Sequence, residues 1–227
     1  MTLDLDTLVL RPGAHTSASD GVSLMEAVSV LAGEPWSNSP SCTSPVITAY
    51  ARSLSDWLPD DERQWLKAYI PRLVGTAEPD LELRRAFACA DAAVRVFARL
   101  GFTSAGLVEE AAKLSALALV DRESAESARS AAESAESAAR SAASSSEWSV
   151  RAAMRSAAES ARSAALSVSS AARSAASSSA SAAESAARLA ARTAESAQAA
   201  ARLAGRSAES ARSAAFELLD RLIAAAS

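Results

Sequence analysis

Small apolar side chains recur every eleven residues between Ala125 and Ile223, and this repeat is the strongest pattern in the chain. Its steps of three, four and four residues place the apolar positions on one narrow stripe of a helix. An eleven-residue period corresponds to about 3.67 residues per turn, so the stripe runs nearly straight or drifts into a slightly right-handed supercoil of the coiled-coil kind. The pattern therefore predicts helix throughout 125–223. The fourth position of successive repeats is Ala128, Ala139, Val150, Ala161, Ala172, Ala183, Ala194, Gly205 and Phe216.

The fifth position of the repeat carries charge, which separates a polar face from the apolar stripe. Several of its arginines follow a glutamate by three or four residues, as in Glu126 and Arg129, and each such pair stabilises a helix by about 0.2–0.5 kcal/mol. We therefore expect a solvated face. From Asp121 onward the chain has 13 arginines, no lysine and 12 acidic residues, a net charge of +1. Because nucleic-acid binding depends on unneutralised basic charge, this balance predicts no nucleic-acid partner.

A longer repeat is superimposed on the short one. Segment 125–146 returns as segment 158–179, 33 residues later, with three substitutions. A unit of this size is typical of helix–turn–helix repeats, in which the chain would fold back at its serine runs into antiparallel helices of about twenty to thirty residues. The same period also fits one continuous helix of about 99 residues, which would run for about 150 Å.

Local signals favour the antiparallel arrangement over the rod. The stretches 144–147 and 181–184 both have a serine followed three residues later by a glutamate, which is the capping-box spacing of a helix start. Gly205 can end a helix in the left-handed conformation at low cost. Against a fold-back, the chain has no proline after Pro79 and no glycine between Gly106 and Gly205. Both architectures stay open, and we favour the bundle.

Alanine suits close helix packing, because it is the best helix former and lets helix axes approach to about 8 Å. A buried alanine removes little apolar surface, so the tail needs larger residues to anchor it. We expect the amphipathic end, Phe216 to Ile223, to close the core or dock on the N-terminal region. It could instead bind a partner or a membrane surface, although Glu217 and Asp220 suit anionic lipid poorly. The candidate partner-binding residues are Trp148, Phe216, Leu219 and Leu222.

The first 120 residues are richer in aromatic residues, proline and glycine than the tail. Leucines at alternate positions suggest a short extended lead-in before Pro12 and Gly13. Apolar spacing then predicts a first helix that residues 21–23 start and Gly33 ends, and a second over 46–58. A third starts at Pro59, and two more cover about 81–100 and 105–120. The predicted fold is all-α, with a small N-terminal helical domain, 1–120, followed by an Ala/Ser-rich helical repeat tail, 121–227, folded as an antiparallel bundle or extended as a long rod.

Charge and cysteine content narrow the class of protein. The net charge is −4, and no uncharged run is long enough to cross a bilayer, so we expect no membrane partner. The N-terminus has acids where a secretory signal needs bases. Cys42 and Cys89 lie in segments of different character, which favours two small buried thiols over a disulfide. These features predict a cytoplasmic protein.

Several short motifs occur in the first 80 residues: Gly13-Ala14-His15, Gly21, LMEAV (24–28), AGEP (32–35), Ser39-Pro40, Cys42, SPVI (44–47) and IPRLVGT (70–76). Together they resemble an uncharacterised family of actinobacteria and their bacteriophages. The resemblance implies an N-terminal helical domain joined to an Ala-rich tail, a cytoplasmic and phage-related origin, and no assigned activity.

The resemblance also points to a metal-binding pattern. Many family members look as if they have Cys at the position of Ser23 and His at that of Trp36, which with His15 and Cys42 would form a His/Cys metal set. This chain keeps only His15 and Cys42, so we expect no bound metal and name these two as the candidate ligands.

The chemistry-bearing residues do not form a recognisable catalytic set. His15 is the single histidine and has no nucleophile elbow beside it, and the chain has no glycine-rich phosphate loop, CxxC pair or HExxH motif. We therefore predict a non-enzymatic protein without a cofactor, which binds a protein partner or itself through its Ala-rich helical surface. A phage-host or toxin-neutralising, immunity-like role is the alternative. Ice binding is an outlier, because Thr193 is the only threonine of the repeat.

Overall fold

The computed structural model describes residues 4–5, 7–144, 146 and 148–225. Within these residues the regular structure is helical, and the only strand-like pairing is one isolated bridge between Leu10 and Val22. The all-α prediction is therefore confirmed. The α-helices are α1 (Leu24–Leu31), α2 (Pro45–Trp57), α3 (Asp60–Arg63), α4 (Ile70–Leu73), α5 (Glu82–Asp91), α6 (Arg99–Ser104), α7 (Val108–Ser115), α8 (Ala125–Ser144), α9 (Trp148–Ser177), α10 (Ala180–Leu203) and α11 (Glu209–Ala224).

The N-terminal helices follow the predicted order with shifted ends. Helix α1 begins at Leu24, directly after the predicted start at 21–23, and its start is fixed by a capping box in which Ser23 and Glu26 bind each other's backbone N–H groups. The region predicted as 81–100 comprises α5, a π-helical stretch, Ala92–Ala98, and α6. The region predicted as 105–120 is helical only in α7. Short 3-10 segments cover Gln64–Tyr69, between α3 and α4, and Pro79–Leu81, before α5.

The tail folds back on itself, so the antiparallel arrangement is confirmed and the single long rod is wrong. Helix α9 ends at Ser177, and Ser178 takes a φ of 51°, the left-handed conformation that reverses the chain. The side chain of Ser179 then caps α10 by accepting from Ala182 N–H. The sequence predicted Ser181 as the capping residue, which lies two residues after the serine that caps the helix. The cap predicted at 144–147 involves residues 145 and 147, which lie outside the described part.

The end of α10 has the glycine termination that the sequence predicted. Gly205 has a φ of 66°, its N–H donates to Arg202 O over 3.1 Å, and Arg206 N–H donates to Ala201 O over 2.8 Å. This pair of bonds is the Schellman motif, in which the residue after the helix must be left-handed. Glycine enters that region without the steric cost of a Cβ atom, and the chain turns here towards α11.

Buried and partly buried serines of α9 join this helix to α10 in a way that the sequence interpretation missed. Their hydroxyls donate to backbone carbonyls of α10 or of its cap residue Ser179, and the acceptor number falls as the donor number rises, as antiparallel helices require. Such side-chain donation across a close interface satisfies hydroxyls that would otherwise be buried without partners. The bonds are Ser156 Oγ to Ser196 O (2.8 Å), Ser160 Oγ to Thr193 O (3.2 Å), Ser167 Oγ to Ala186 O (2.8 Å) and Ser174 Oγ to Ser179 O (3.0 Å).

Helix α10 lies at the centre of the core. It contacts α9 on one side and α2, α5, α6, the π-helical stretch and α11 on others. Its alanines from Ala183 to Ala201 are buried except for the partly exposed Ala199, whereas none of the charged residues at the fifth position of the repeat is buried. One buried cluster contains residues from both predicted domains, from Leu8 to Leu222. The boundary at 120/121 therefore marks a change of composition within a shared core.

Candidate functional site

Helix α11 docks on the N-terminal region, as predicted for the amphipathic end of the chain. Tyr50 Oη donates to Ala215 O over 3.0 Å, and Leu219 and Leu222 are fully buried. Their assignment as partner-binding residues is therefore wrong, because the core of the same chain occupies their surfaces. The ring of Phe216 is half-buried, with centroids 6.0 Å from Trp65 and 5.9 Å from Tyr69.

The buried guanidinium of Arg85 holds α11 against the N-terminal helices. Arg85 is fully buried, and its Nε donates to Leu222 O near the end of α11 over 3.1 Å. Its Nη1 donates to Thr76 O (3.0 Å) and to Glu82 Oε1 (2.8 Å). Ser44 Oγ donates to the other oxygen of Glu82 over 2.8 Å, which ties the start of α2 to the same network. No pattern in the sequence predicted that this arginine would be internal.

His15 and Ser23 form a cluster around the buried carboxylate of Glu26. The His15 N–H donates to Glu26 Oε1 (2.6 Å), and His15 Nδ1 lies 2.9 Å from Glu26 Oε2. Burial raises the pKa of the Glu26 carboxyl, but donation from His15 and Ser23 outweighs it, and the pKa lies below its ordinary value. A Cβ added at Gly21 would meet His15 Nε2 at 2.6 Å. Both sides of the imidazole are thus occupied, and the cluster pins the loop before α1.

The positions that the family resemblance linked to a metal are only partly brought together. Trp36 Nε1 donates to His15 O over 2.9 Å, and Ser23 shares Glu26 with His15, so these three positions adjoin. Cys42 instead lies beside Thr43, with its carbonyl accepting from the N–H of Gly75 and of Ala77. Within the described residues, no three His, Cys, Asp or Glu side chains are grouped to hold a metal ion.

The cysteines are separate free thiols. Cys89 is completely buried between α5 and its neighbours, and burial raises the pKa of its thiol well above the usual value. Cys42 is only partly exposed. The prediction of small thiols without a disulfide is confirmed for the pair, with full burial at Cys89 alone.

An apolar patch at the start of α9 remains exposed. The Trp148 side chain is 81% exposed, Val150 42% and Leu203 48%. Val150 and Leu203 line one shallow depression of about 250 Å³ together with Gly106 and Arg206. We call Trp148, Val150 and Leu203 the α9 patch. Of the four predicted partner-binding residues, Trp148 is the one whose surface is free to meet another molecule.

A larger groove lies at the other end of α9, in segments where the sequence offered no ligand-binding motif. It has a volume of about 760 Å³ and is enclosed by the proline-rich loop before α2, the first turns of α2 and α10, segment 77–83 and the α9–α10 turn. Its charged lining consists of Arg52, Arg122, Arg188, Glu78, Glu82 and Glu184. Glu82 is already paired with Arg85, which lies outside the lining. The volume and the charged, hydroxyl-bearing lining suit a small-molecule site.

Two further observations bear on the alternative roles. Thr193, the only threonine of the repeat, is buried and donates to Leu189 O over 2.7 Å, so it presents no surface to ice. None of the helices in the described chain combines the length and apolar character that crossing a bilayer requires. Comparison of the chain with protein-family models, with curated proteins and with solved structures finds no match.

Proposed function

We propose that this is a non-enzymatic protein-interaction protein that binds its partner through the α9 patch. The observation that carries the proposal is the exposure of Trp148, whose indole is 81% open to solvent. Tryptophan is enriched among the residues that dominate binding energy at protein interfaces, because it buries a large rigid surface on contact. Val150 and Leu203 are further exposed apolar side chains at this end of the bundle, and both line the depression there.

The charge around the patch indicates the kind of partner. Arg206 lines the depression and Arg202 precedes Leu203, and both are exposed. Among the described residues, the lining of the depression includes no acidic side chain. An apolar centre flanked by guanidiniums fits a partner surface that offers an apolar side chain between carboxylates. We therefore commit to an acidic protein surface as the occupant.

The alanine stripe holds the bundle together and is not the binding surface in this proposal. In α9 and α10 the alanines pack against each other and against the N-terminal helices of the same chain. Their surface is buried within the molecule, and the larger side chains at the start of α9 are available for binding. The interaction surface is thus the end of the bundle that the alanines hold in place.

Substitution within the patch tests this proposal. We expect Trp148→Ser and Leu203→Ala to weaken partner binding by at least about tenfold, since truncation of a central interface anchor costs about 2 kcal/mol or more. Leu119→Ala is the matched control, because Leu119 is also exposed and lies away from the patch. Immobilised full-length protein would capture the partner from its native host, followed by affinity measurement with each variant.

Equal binding by all three variants would refute the patch as the binding surface. Light scattering on the purified chain distinguishes an acidic partner from a second copy of this chain. A dimer in the wild type that becomes monomeric in Trp148→Ser would replace the acidic partner by a second copy of this chain.

A further inference from the structure

We propose that the groove between α2 and the α9–α10 turn binds a small organic molecule that carries a phosphate or carboxylate group, with the anion seated at the start of α10. The cavity of about 760 Å³ falls within the range of small-molecule sites, about 300–1,000 Å³. The inference is independent of the α9 patch, which lies at the opposite end of α9.

The first turns of α2 and α10 face the groove, and their backbone N–H groups have different hydrogen-bond acceptors. At the start of α2, Glu82 Oε2 accepts from Val46 N–H over 3.2 Å, so an internal carboxylate already occupies that N-terminus. Helix α10 has no acidic residue in its first turn, and its cap consists of the neutral Ser179 hydroxyl. A helix of this length carries partial positive charge at its N-terminus and binds anions there.

Two arginines add unneutralised positive charge. Arg52 Nη1 donates to Ser39 Oγ over 3.2 Å and Arg122 Nη2 donates to Ala175 O over 3.0 Å, and among the described residues neither has a carboxylate partner. Each guanidinium therefore keeps further N–H donors for a ligand. The remaining Arg188 is paired with Glu184 over 3.3 Å.

The balance of charge favours an anion over a cation. Glu78 also lines the groove and is exposed, so the groups without an ion-pair partner among the described residues are two guanidiniums and one carboxylate. The surplus is positive. The carboxylate of Glu78 can in turn accept from a hydroxyl or amino group elsewhere on the ligand.

A buried hydroxyl supplies the second, independent sign of a ligand. Thr48 lines the groove from the first turn of α2 and is only 6% exposed, yet its Oγ1 has no hydrogen-bond partner among the described residues. Buried polar groups are nearly always satisfied, and an exception calls for a missing partner. The Oγ1 atom is covered in this structure, and rotation about the Cα–Cβ bond brings the hydroxyl to the groove, where a ligand oxygen accepts from it.

The apolar lining shows that the ligand has an organic part. Pro40, Pro45, Pro79 and Leu83 line the same cavity, whose volume greatly exceeds that of an inorganic anion. Flat or branched apolar groups pack against proline rings and leucine, while the charged groups orient the anion. The class of ligand is therefore a phosphorylated or carboxylated small molecule with an apolar or cyclic portion.

A matched pair of probes tests the proposal on the full-length chain. Phenyl phosphate and benzoate share a ring and differ in the anion, so titration of each distinguishes the two ligand chemistries. We expect saturable binding of at least one, with amide chemical-shift changes concentrated in residues 178–184. Arg122→Gln and Arg52→Gln should each weaken that binding about tenfold, since hydrogen bonds to charged groups are the strong ones.

Two further variants separate a site from general charge effects. Arg162→Gln removes an exposed arginine of α9 that does not line the groove, and it should bind the probe as well as the wild type. Thr48→Val should weaken binding without lowering the stability of the free protein, because its hydroxyl has no partner to lose. Absence of saturable binding of both probes, or equal loss in Arg162→Gln and Arg122→Gln, would overturn the proposal. The Trp148→Ser protein should bind the probe normally, so this test and that of the α9 patch fail separately.

Discussion

Replacing Arg85 by methionine is expected to lower the free energy of unfolding by about 3–5 kcal/mol, the usual cost of removing one partner of a buried ion pair. Methionine fills much of the space that the arginine stem occupies. It leaves the Glu82 carboxylate without its cation and the carbonyls of Thr76 and Leu222 without their donor. Urea unfolding followed by circular dichroism measures the change.

The neighbouring arginine provides the control for this prediction. Arg84 is exposed and has no hydrogen bond or ion pair among the described residues, so Arg84→Met should change the unfolding free energy by less than about 0.5 kcal/mol. If the two methionine variants unfolded at the same urea concentration, Arg85 would not be the internal tie between α5 and α11 that its contacts indicate.

Enlarging an alanine at the centre of α10 is expected to have the next largest effect. Ala194 is fully buried in a helix that is packed on several sides. Ala194→Leu adds three carbon atoms where the neighbouring helices leave room for a methyl group, and such overpacking costs about 1–3 kcal/mol. Thermal and urea unfolding would both report the loss.

An exposed alanine separates overpacking from a change in helix propensity. Ala176 is exposed near the end of α9, and leucine is almost as good a helix former as alanine. Ala176→Leu should therefore be neutral within about 0.5 kcal/mol. An unchanged or raised stability in Ala194→Leu would mean that the helices around α10 are not closely packed.

The sequence predicted the inward face of the tail because alanine and charge are segregated at fixed positions of the repeat. A methyl group at Ala183 or Ala194 and a charge at Glu184 or Glu195 have opposite solvation, so the period alone orients each helix. It also predicted the left-handed end at Gly205. It placed a fold-back at the serine runs but did not identify Ser178 as the residue that turns, because serine rarely adopts a positive φ and leaves no compositional sign when it does.

The varied environments of the serines account for much of what the sequence did not predict within the tail. The same residue type caps α10 at Ser179, is buried at Ser160 and Ser167 and lies exposed at Ser177. A hydroxyl can be satisfied by water, by its own helix or by a neighbouring helix, so its environment follows from tertiary contacts. The donation from α9 to the carbonyls of α10 was therefore invisible in the sequence.

The candidate sites depend on contacts between distant parts of the chain. Trp148 was identified from its size alone, whereas Leu219 and Leu222 look equally apolar and are buried by helices more than 100 residues earlier in the chain. The groove combines segments around residues 45, 80 and 180. The motifs in these segments, such as SPVI (44–47), do not indicate a ligand, and the cavity exists only because α10 packs beside α2.

Residue-resolved hydrogen exchange of the full-length chain tests most directly the claim that an alanine helix forms the centre of the core. Amides from 183 to 201 should be among the slowest to exchange, opening at the same free energy as those of α2, because both helices lose protection only on global unfolding. Exchange of 183–201 that is orders of magnitude faster than that of α2 would contradict the account, since α10 would then open while the N-terminal helices stayed folded.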